Sequence, residues 1–295
     1  MSAEITLFVN PTAGRGRGAR AAQPAASALR DAGFHVRTVV GTDAEDALAR
    51  LRTAVREGTG AVIAVGGDGM VSLALQALAG TLVPLGVVAV GTGNDFARAL
   101  GLPVREPAQA GRLAAEALKE SRLREIDLGR VAGTWYGTVL CSGFDSRVND
   151  RGNRMRLPAG RFKYDLAMIA ELAAFRPFPY RITLDDGPAI ETEATLVAVG
   201  NGSSYGGGMR ICAGAVPDDG LFDVVVVGDC SRATLLKVFP QVYKGTHLSH
   251  PEVAVHRAAK VTLEAAGLTA YADGERVGPL PVTAECVPAA VRILG

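Results

Sequence analysis

Three glycine-rich loops, each set between an apolar run and a helical pattern, constrain this chain more than any other feature. The first runs Asn10-Pro11-Thr12-Ala13-Gly14-Arg15-Gly16-Arg17-Gly18, the second Gly66-Gly67-Asp68-Gly69, and the third Gly91-Thr92-Gly93-Asn94-Asp95. A loop that leaves a buried strand and enters a helix lies at the carboxyl edge of a parallel sheet, where open α/β sheets take their ligands. Glycine lets the backbone approach a phosphate closely, and the helix N-terminus offers free N–H groups to an anion. Thr92, Asn94 and Arg15 or Arg17 add side-chain donors. Any one of these loops taken alone reads more readily as a turn. Three at one edge, two of them carrying an aspartate, point to phosphate. Neither a G-x-x-x-x-G-K-[ST] loop nor a G-x-G-x-x-G after the first strand occurs, so the Walker and dinucleotide patterns are excluded.

The remaining pattern of the first 124 residues fits such a sheet. Strands are expected over Ile5–Val9, Phe34–Val40, Ala61–Val65 and Leu85–Val90, and helices over Gly18–Ala32, Asp43–Glu57, Val71–Ala79, Asn94–Leu100 and Ala108–Glu120, with Asp43 as a cap. This predicts an α/β nucleotide-binding domain, an open and mostly parallel sheet, over 1–124. From Ile126 strands follow strands: Ile126–Val131, Trp135–Cys141, Tyr180–Leu184, Thr192–Val199, Leu221–Val227, Lys260–Glu264, Leu268–Ala272 and Val282–Cys286. That predicts a predominantly antiparallel β-sandwich domain over 125–295, with a last strand at about 289–295 free to return to the first domain. Two helical patterns interrupt it, Arg161–Phe175 and Arg232–Tyr243.

Composition narrows the function. A formal net charge of +1 gives no global field toward nucleic acid. The four cysteines form no C-x-x-C and match no zinc spacing, and His247 and His250 lack a partner at helical spacing. The start MSAEITLFVN has no basic n-region and long apolar run, and no stretch is long and apolar enough to span a bilayer. A cytoplasmic protein is expected.

Asn10-Pro11 with its glycines, Gly66-Gly67-Asp68-Gly69, and Pro84-Leu85-Gly86 leading to Gly91-Thr92-Gly93-Asn94-Asp95-Phe96-Ala97-Arg98 resemble the signature blocks of the diacylglycerol kinase catalytic domain superfamily. Ile126-Asp127-Leu128-Gly129, Cys141-Ser142-Gly143-Phe144-Asp145, the segment Asn201–Asp223 and Tyr271-Ala272-Asp273-Gly274-Glu275 continue the resemblance in order. It implies a two-domain lipid kinase that uses ATP and Mg²⁺ to phosphorylate the hydroxyl of a membrane lipid, with diacylglycerol giving phosphatidic acid as its leading case. Its nucleotide residues would be Asn10, Pro11, Thr12, Ala13, Gly14, Thr42, Gly66, Gly67, Asp68, Gly69, Met70, Thr92, Asn94 and Asp95. Asp68 and Asp95 would hold the nucleotide's Mg²⁺ or orient loop amides, although Asp95 also reads as a helix cap. Glu275, helped by Asp273, would be the general base, desolvated in a cleft between the domains. From residue types alone, Asp273-Gly274-Glu275 is a β-turn. Asp219, with the carbonyls of Val216 and Leu221, would hold a structural Mg²⁺, where residue types again give a turn.

One departure stands in the second loop, where Met70 and Ser72 replace the family's Thr and Asn, removing a hydroxyl expected to meet phosphate. The implied partner is a membrane lipid met by transient peripheral docking at the inner face of the membrane, with no nucleic acid and a homodimer left open. Arg147, Arg151, Arg154, Arg156, Arg161 and Lys163 are the basic stretch expected to meet the bilayer. Two rival readings remain: an NAD kinase-like enzyme, which shares Gly-Gly-Asp-Gly after a strand, and a non-catalytic nucleotide- or lipid-binding homologue.

Overall fold

A computed structural model describes residues 4–10, 13–144, 146 and 177–295, with residues 13–17 and 19 as backbone only. The basic stretch from Arg147 to Lys163 and the helix expected over 161–175 lie outside the described residues.

The first half alternates strand and helix: β1 (Glu4–Val9), α1 (Ala13–Asp31), β2 (His35–Val39), α2 (Ala44–Arg56), β3 (Ala61–Gly66), α3 (Asp68–Leu78), β4 (Leu85–Ala89), α4 (Asp95–Ala99) and α5 (Pro107–Glu120). β2, β1, β3 and β4 lie side by side in that order, all parallel. β3 and β4 are buried along their whole length, because helices cover both faces, as parallel sheets require. On one face Leu51 of α2 and Leu75 and Leu78 of α3 pack with Phe8 and Val62. On the other, Ala25 and Leu29 of α1 and Ala114 of α5 pack with Leu7 and Ile63. Gly111 permits the second packing, since a Cβ there would fall 2.7 Å from the Cα of Ala25. Asp43 caps α2 as expected, its carboxylate accepting from the Asp46 amide at 2.9 Å.

α1 begins at Ala13 rather than Gly18. The link from β1 is short, so the glycine-rich stretch is drawn into the helix despite glycine's cost of about 1 kcal/mol per residue there. The five residues 13–17, which read as loop, therefore become the first part of the helix.

The second half is built from β5 (Leu123–Val131), β6 (Thr134–Tyr136), β7 (Val139–Gly143), β8 (Phe178–Leu184), β9 (Ile190–Gly200), β10 (Phe222–Gly228), α6 (Arg232–Val242), a 3-10 turn (Thr246–Ser249), β11 (Val253–Ala258), β12 (Lys260–Glu264), β13 (Thr269–Ala272), β14 (Glu275–Pro279) and β15 (Val282–Leu294). Every pair made within this group is antiparallel. Tyr136, Tyr180, Val197, Phe222, Val224 and Leu263 form its core.

β15 joins the halves. It pairs antiparallel with β12 and β5 and reaches β4 in parallel at Ile293, opposite Leu85. Ala284 and Cys286 at its start lie in the sandwich core, and Val291 and Ile293 at its end in the first domain's core. The register against β5 shifts between Val287 and Val291. That bulge contains Pro288, which explains why the sequence pattern appears to stop at Cys286. β11 and β14 also escape the pattern: one is an exposed strand with little alternation, the other carries Gly278 and Pro279.

Candidate active site

The register of the parallel strands sets the geometry. Val9 pairs with Val65, and Gly66 with Ala89, so β1, β3 and β4 end together. The amide of Asn10 donates to Val65 O at 3.3 Å and that of Val90 to Gly66 O at 2.8 Å, which carries the alignment into the loops. Gly67 and Gly91 touch backbone to backbone: a Cβ on Gly91 would lie 2.4 Å from the Cα of Gly67. Only glycine fits this crossing. The N-termini of α1 and α3 open on the same edge, with Ala13 and Gly14 in the first turn of α1 and Gly69 exposed in that of α3. Free amides at a glycine-lined edge fit a nucleotide phosphate. Pro11 and Thr12 lie outside the described residues.

Three aspartates fasten this edge. Asp68 Oδ2 accepts from the amide of Asn94 at 2.7 Å and its Oδ1 from that of Phe96 at 3.2 Å, tying the second loop to the third. Asn94 stands in the left-handed region at φ 59°, a conformation its short polar side chain tolerates. Its Oδ1 accepts from the Gly91 amide at 2.8 Å and its Nδ2 donates to Gly91 O at 3.1 Å. The side chain is thus spent closing its own loop, not held outward for phosphate. Thr92 is exposed at the loop tip, its carbonyl accepting from Arg105 at 3.3 Å.

Asp95 reaches across to the second domain. It is buried and accepts from the amides of Gly207 and Gly208, both at 2.7 Å. Burial pushes its carboxyl up from the ordinary range, against the pull of those amides. Gly206, Gly207 and Gly208 all have positive φ, the conformation that turns two successive amides onto one carboxylate. The Asp95 side chain is therefore an anchor between domains. Asp68 and Asp95 both orient loop amides, the second of the two roles open to them.

Asp273 is the third fastener. It accepts from the amides of Gly137 at 2.7 Å, Thr138 at 2.9 Å and Val139 at 3.3 Å, and from the Thr138 hydroxyl at 2.5 Å. This clamp breaks the expected strand Trp135–Cys141 into β6 and β7. Burial raises the carboxyl of Asp273, opposed by the same donors, and the nearby charge of Asp68 adds to the rise. Asp68 also raises Asp95, so all three carboxylates share one neighbourhood. Glu275 follows on the same turn, at the start of the edge strand β14, and is exposed rather than enclosed. Among the described residues, Glu275 is not enclosed between the two domains as expected.

Two expected nucleotide residues do other work. Thr42 donates through its amide to Asp46 Oδ2 at 2.9 Å and through its hydroxyl at 3.2 Å, so it finishes the start of α2. Met70 is buried in the first domain's core with Leu51, Leu75 and Phe96. The expectation that this position faces phosphate is corrected: the thioether fills the core beneath the loop. Met70→Thr should then lower stability by about 1–3 kcal/mol through lost packing and a buried hydroxyl. A thermal melt checks this, and an unchanged or raised Tm would contradict the packing.

The proposed structural cation meets a competitor. Asp219 is ion-paired with Arg257, and its Oδ1 accepts from the Leu221 amide at 3.1 Å. Arg257 also lies 3.4 Å from Asp223, and Asp218 pairs with Arg124 at 2.8 Å. Val216 and Leu221 would add only carbonyls to a carboxylate already neutralised by a guanidinium. As placed, these residues do not fit a structural Mg²⁺, and the turn is held instead by Arg257 and by Asp127, which accepts from the amides of Gly220 at 2.7 Å and Ala289 at 2.9 Å. Without nucleotide, adding Mg²⁺ should leave the Tm of the protein unchanged. A rise that vanished in Asp219→Ala would place a cation there after all.

Residues that sequence reasoning passes over are those whose partners are distant. Gln76 of α3 donates to Trp135 O at 2.8 Å and accepts from the Trp135 amide at 3.0 Å, bridging the domains. Asn201 donates to the carbonyls of Asp127 at 2.9 Å and Gly137 at 3.1 Å, beneath the Asp273 clamp. A lone amide side chain carries no local signal for either role.

Comparison with known proteins gives the family and the fold. Residues 4–131 match the family model of the diacylglycerol kinase catalytic domain, and residues 138–295 that of the YegS C-terminal NAD kinase beta sandwich-like domain. The chain is 45% identical over 296 residues to a diacylglycerol kinase of Mycobacterium tuberculosis, covering 99% of this chain and 94% of that one. Its fold is similar to the crystal structure of a diacylglycerol kinase from Bacillus anthracis (TM-score 0.73, 24% identity, 99% and 96% of the two chains). It is also similar to an NAD kinase from Archaeoglobus fulgidus in complex with ATP, at a TM-score of 0.55 and 12% identity over 100% and 94% of the chains.

Proposed function

We propose that this chain, which belongs to the diacylglycerol kinase catalytic domain family, is an ATP-dependent lipid kinase whose acceptor is the hydroxyl of diacylglycerol. The observation that carries this reading is the convergence of the two glycine loops with the Asp273–Glu275 turn, knitted by Asp68, Asp95 and Asp273. Phosphoryl transfer asks for little covalent chemistry from the protein and much positioning.

In this reading ATP, accompanied by Mg²⁺ that neutralises its phosphates, supplies the γ-phosphoryl group. The amides at the α1 and α3 N-termini and around Gly67 and Gly91 hold the phosphate chain. Glu275 takes the proton of the lipid hydroxyl as its oxygen bonds to the γ-phosphorus. The bond from that phosphorus to the β–γ bridging oxygen breaks, and ADP leaves with the electron pair. Asp273 does not share in the proton transfer: with four donors on it, it fixes the turn from which Glu275 projects. Among the described residues no helix is long and apolar enough to cross a membrane, which suits a kinase that visits its lipid by peripheral docking.

The sandwich likeness to NAD kinases keeps a soluble acceptor as the second reading. ATP consumption should be measured with diacylglycerol in mixed micelles, with NAD, and with neither. Consumption dependent on diacylglycerol supports the proposal. Consumption dependent on NAD alone replaces it with the second reading, and none with either acceptor leaves a binding protein.

A further inference from the structure

We infer that α6 is a membrane-docking helix whose outward apolar stripe, framed by lysines and an arginine, lies in the interface of an anionic bilayer. The inference rests on the lipid-kinase reading only for its biological purpose; the surface itself is read from its own residues.

The inner side of α6 is ordinary. Val238 and Val242 are buried, and Val242 packs with Ile211 and with the partly buried Tyr205 and Met209. The outer side is not. Leu236 is 59% exposed and Tyr243 46% exposed, and Pro240, also exposed, lies between them. Positions 236, 240 and 243 fall on one line of a helix. The Phe239 ring meets Tyr243 edge-on at 6.1 Å between centroids, widening the stripe. At 100° per residue Lys237 flanks one side of it and Arg232 the other, and Lys244 follows Tyr243 just beyond the helix end, all exposed. Between Asp229 and Glu252 the sequence contains no carboxylate.

A helix with apolar residues facing outward between cations suits the boundary of headgroups and acyl chains. A second copy of the chain is the poorer occupant. Two-fold packing would bring this face against itself, opposing its cations with no carboxylate on the helix to neutralise them. An anionic surface supplies that charge. The location also fits: the Arg210 amide donates to Val242 O at 3.0 Å, and the segment running back from Arg210 reaches Gly208 and Gly207, which hold Asp95. The stripe therefore sits one short segment from the proposed transfer site.

The test is sedimentation of the full chain with vesicles of phosphatidylcholine, with and without phosphatidylglycerol, at low and high salt. Leu236→Ser with Tyr243→Ser should lower partitioning onto the anionic vesicles by roughly tenfold or more. Lys237→Gln with Lys244→Gln should lower it roughly 25-fold at low salt, and high salt should mimic that pair in the wild type. Both double variants should keep wild-type turnover on a short-chain, water-soluble diacylglycerol. Binding by both variants equal to wild type overturns the inference, as does a wild type that ignores anionic vesicles. A dimer in sedimentation velocity that the serine pair dissociates would give the face to a second copy and overturn it too. Absent turnover on the soluble acceptor refutes the kinase reading alone, because vesicle binding is read without catalysis.

Discussion

Replacing Glu275 by Gln is expected to lower turnover about 10²- to 10⁴-fold while ATP affinity stays close to wild type. The substitution keeps the size of the side chain and removes its ability to accept a proton. Glu275 opens β14 directly after the Asp273–Gly274 turn and is exposed, so the change has no packing consequence and the Tm should hold. Turnover, nucleotide binding and melting measured on one preparation separate these effects. Near-normal turnover would remove Glu275 from the proton path. A parallel loss of ATP binding would instead assign it to the nucleotide.

The second large effect belongs to Asp68. Asp68→Ala deletes the acceptor of two amides, those of Asn94 and Phe96, and so unties the second glycine loop from the third. Leaving such donors unpaired costs about 1–3 kcal/mol each unless water replaces the carboxylate. A displacement of about 1 Å in a positioning element is enough to slow a reaction about 100-fold, so catalysis should suffer more than stability. The expected result is a kcat/KM for ATP reduced by about two orders of magnitude, with a clear fall in Tm. Asp68→Asn should recover part of both, since its one carbonyl oxygen can serve only one amide well. Unchanged kinetics in Asp68→Ala would mean the two loops do not hold the nucleotide jointly.

The architecture was legible wherever one element announces itself locally. Ala61–Val65 and Leu85–Val90 read as buried strands because they are apolar throughout, and the Asp43 cap is visible one residue before its helix. The glycine loops could be placed at one sheet edge by the strand–loop–helix order alone. What the chain hides is pairing at a distance. Gly206-Gly207-Gly208 reads as a tight bend near the substrate or as plain flexibility, and nothing nearby announces that its amides close on Asp95, 112 residues from Gly207. Asp273 reads as half of a catalytic pair, but its four donors come from residues 137–139 and make it a clamp. Met70 illustrates the opposite error. A departure from a motif reads as lost chemistry until the backbone shows the side chain turning inward to the core. Asp219 was open between turn and cation ligand, and a guanidinium from another strand, Arg257, bears on the choice.

The central claim is that one site, shared by the glycine loops and the Asp273–Glu275 turn, passes the terminal phosphate of ATP to a lipid. The direct measurement is the appearance of label in the organic phase after incubation with γ-labelled ATP and diacylglycerol in mixed micelles. Wild type should place the label on an extractable lipid that has gained one phosphate, in proportion to enzyme and time. Glu275→Gln and Asp68→Ala should each leave it almost entirely in the aqueous phase. Label released only as inorganic phosphate, or transferred equally by wild type and both variants, would contradict the account.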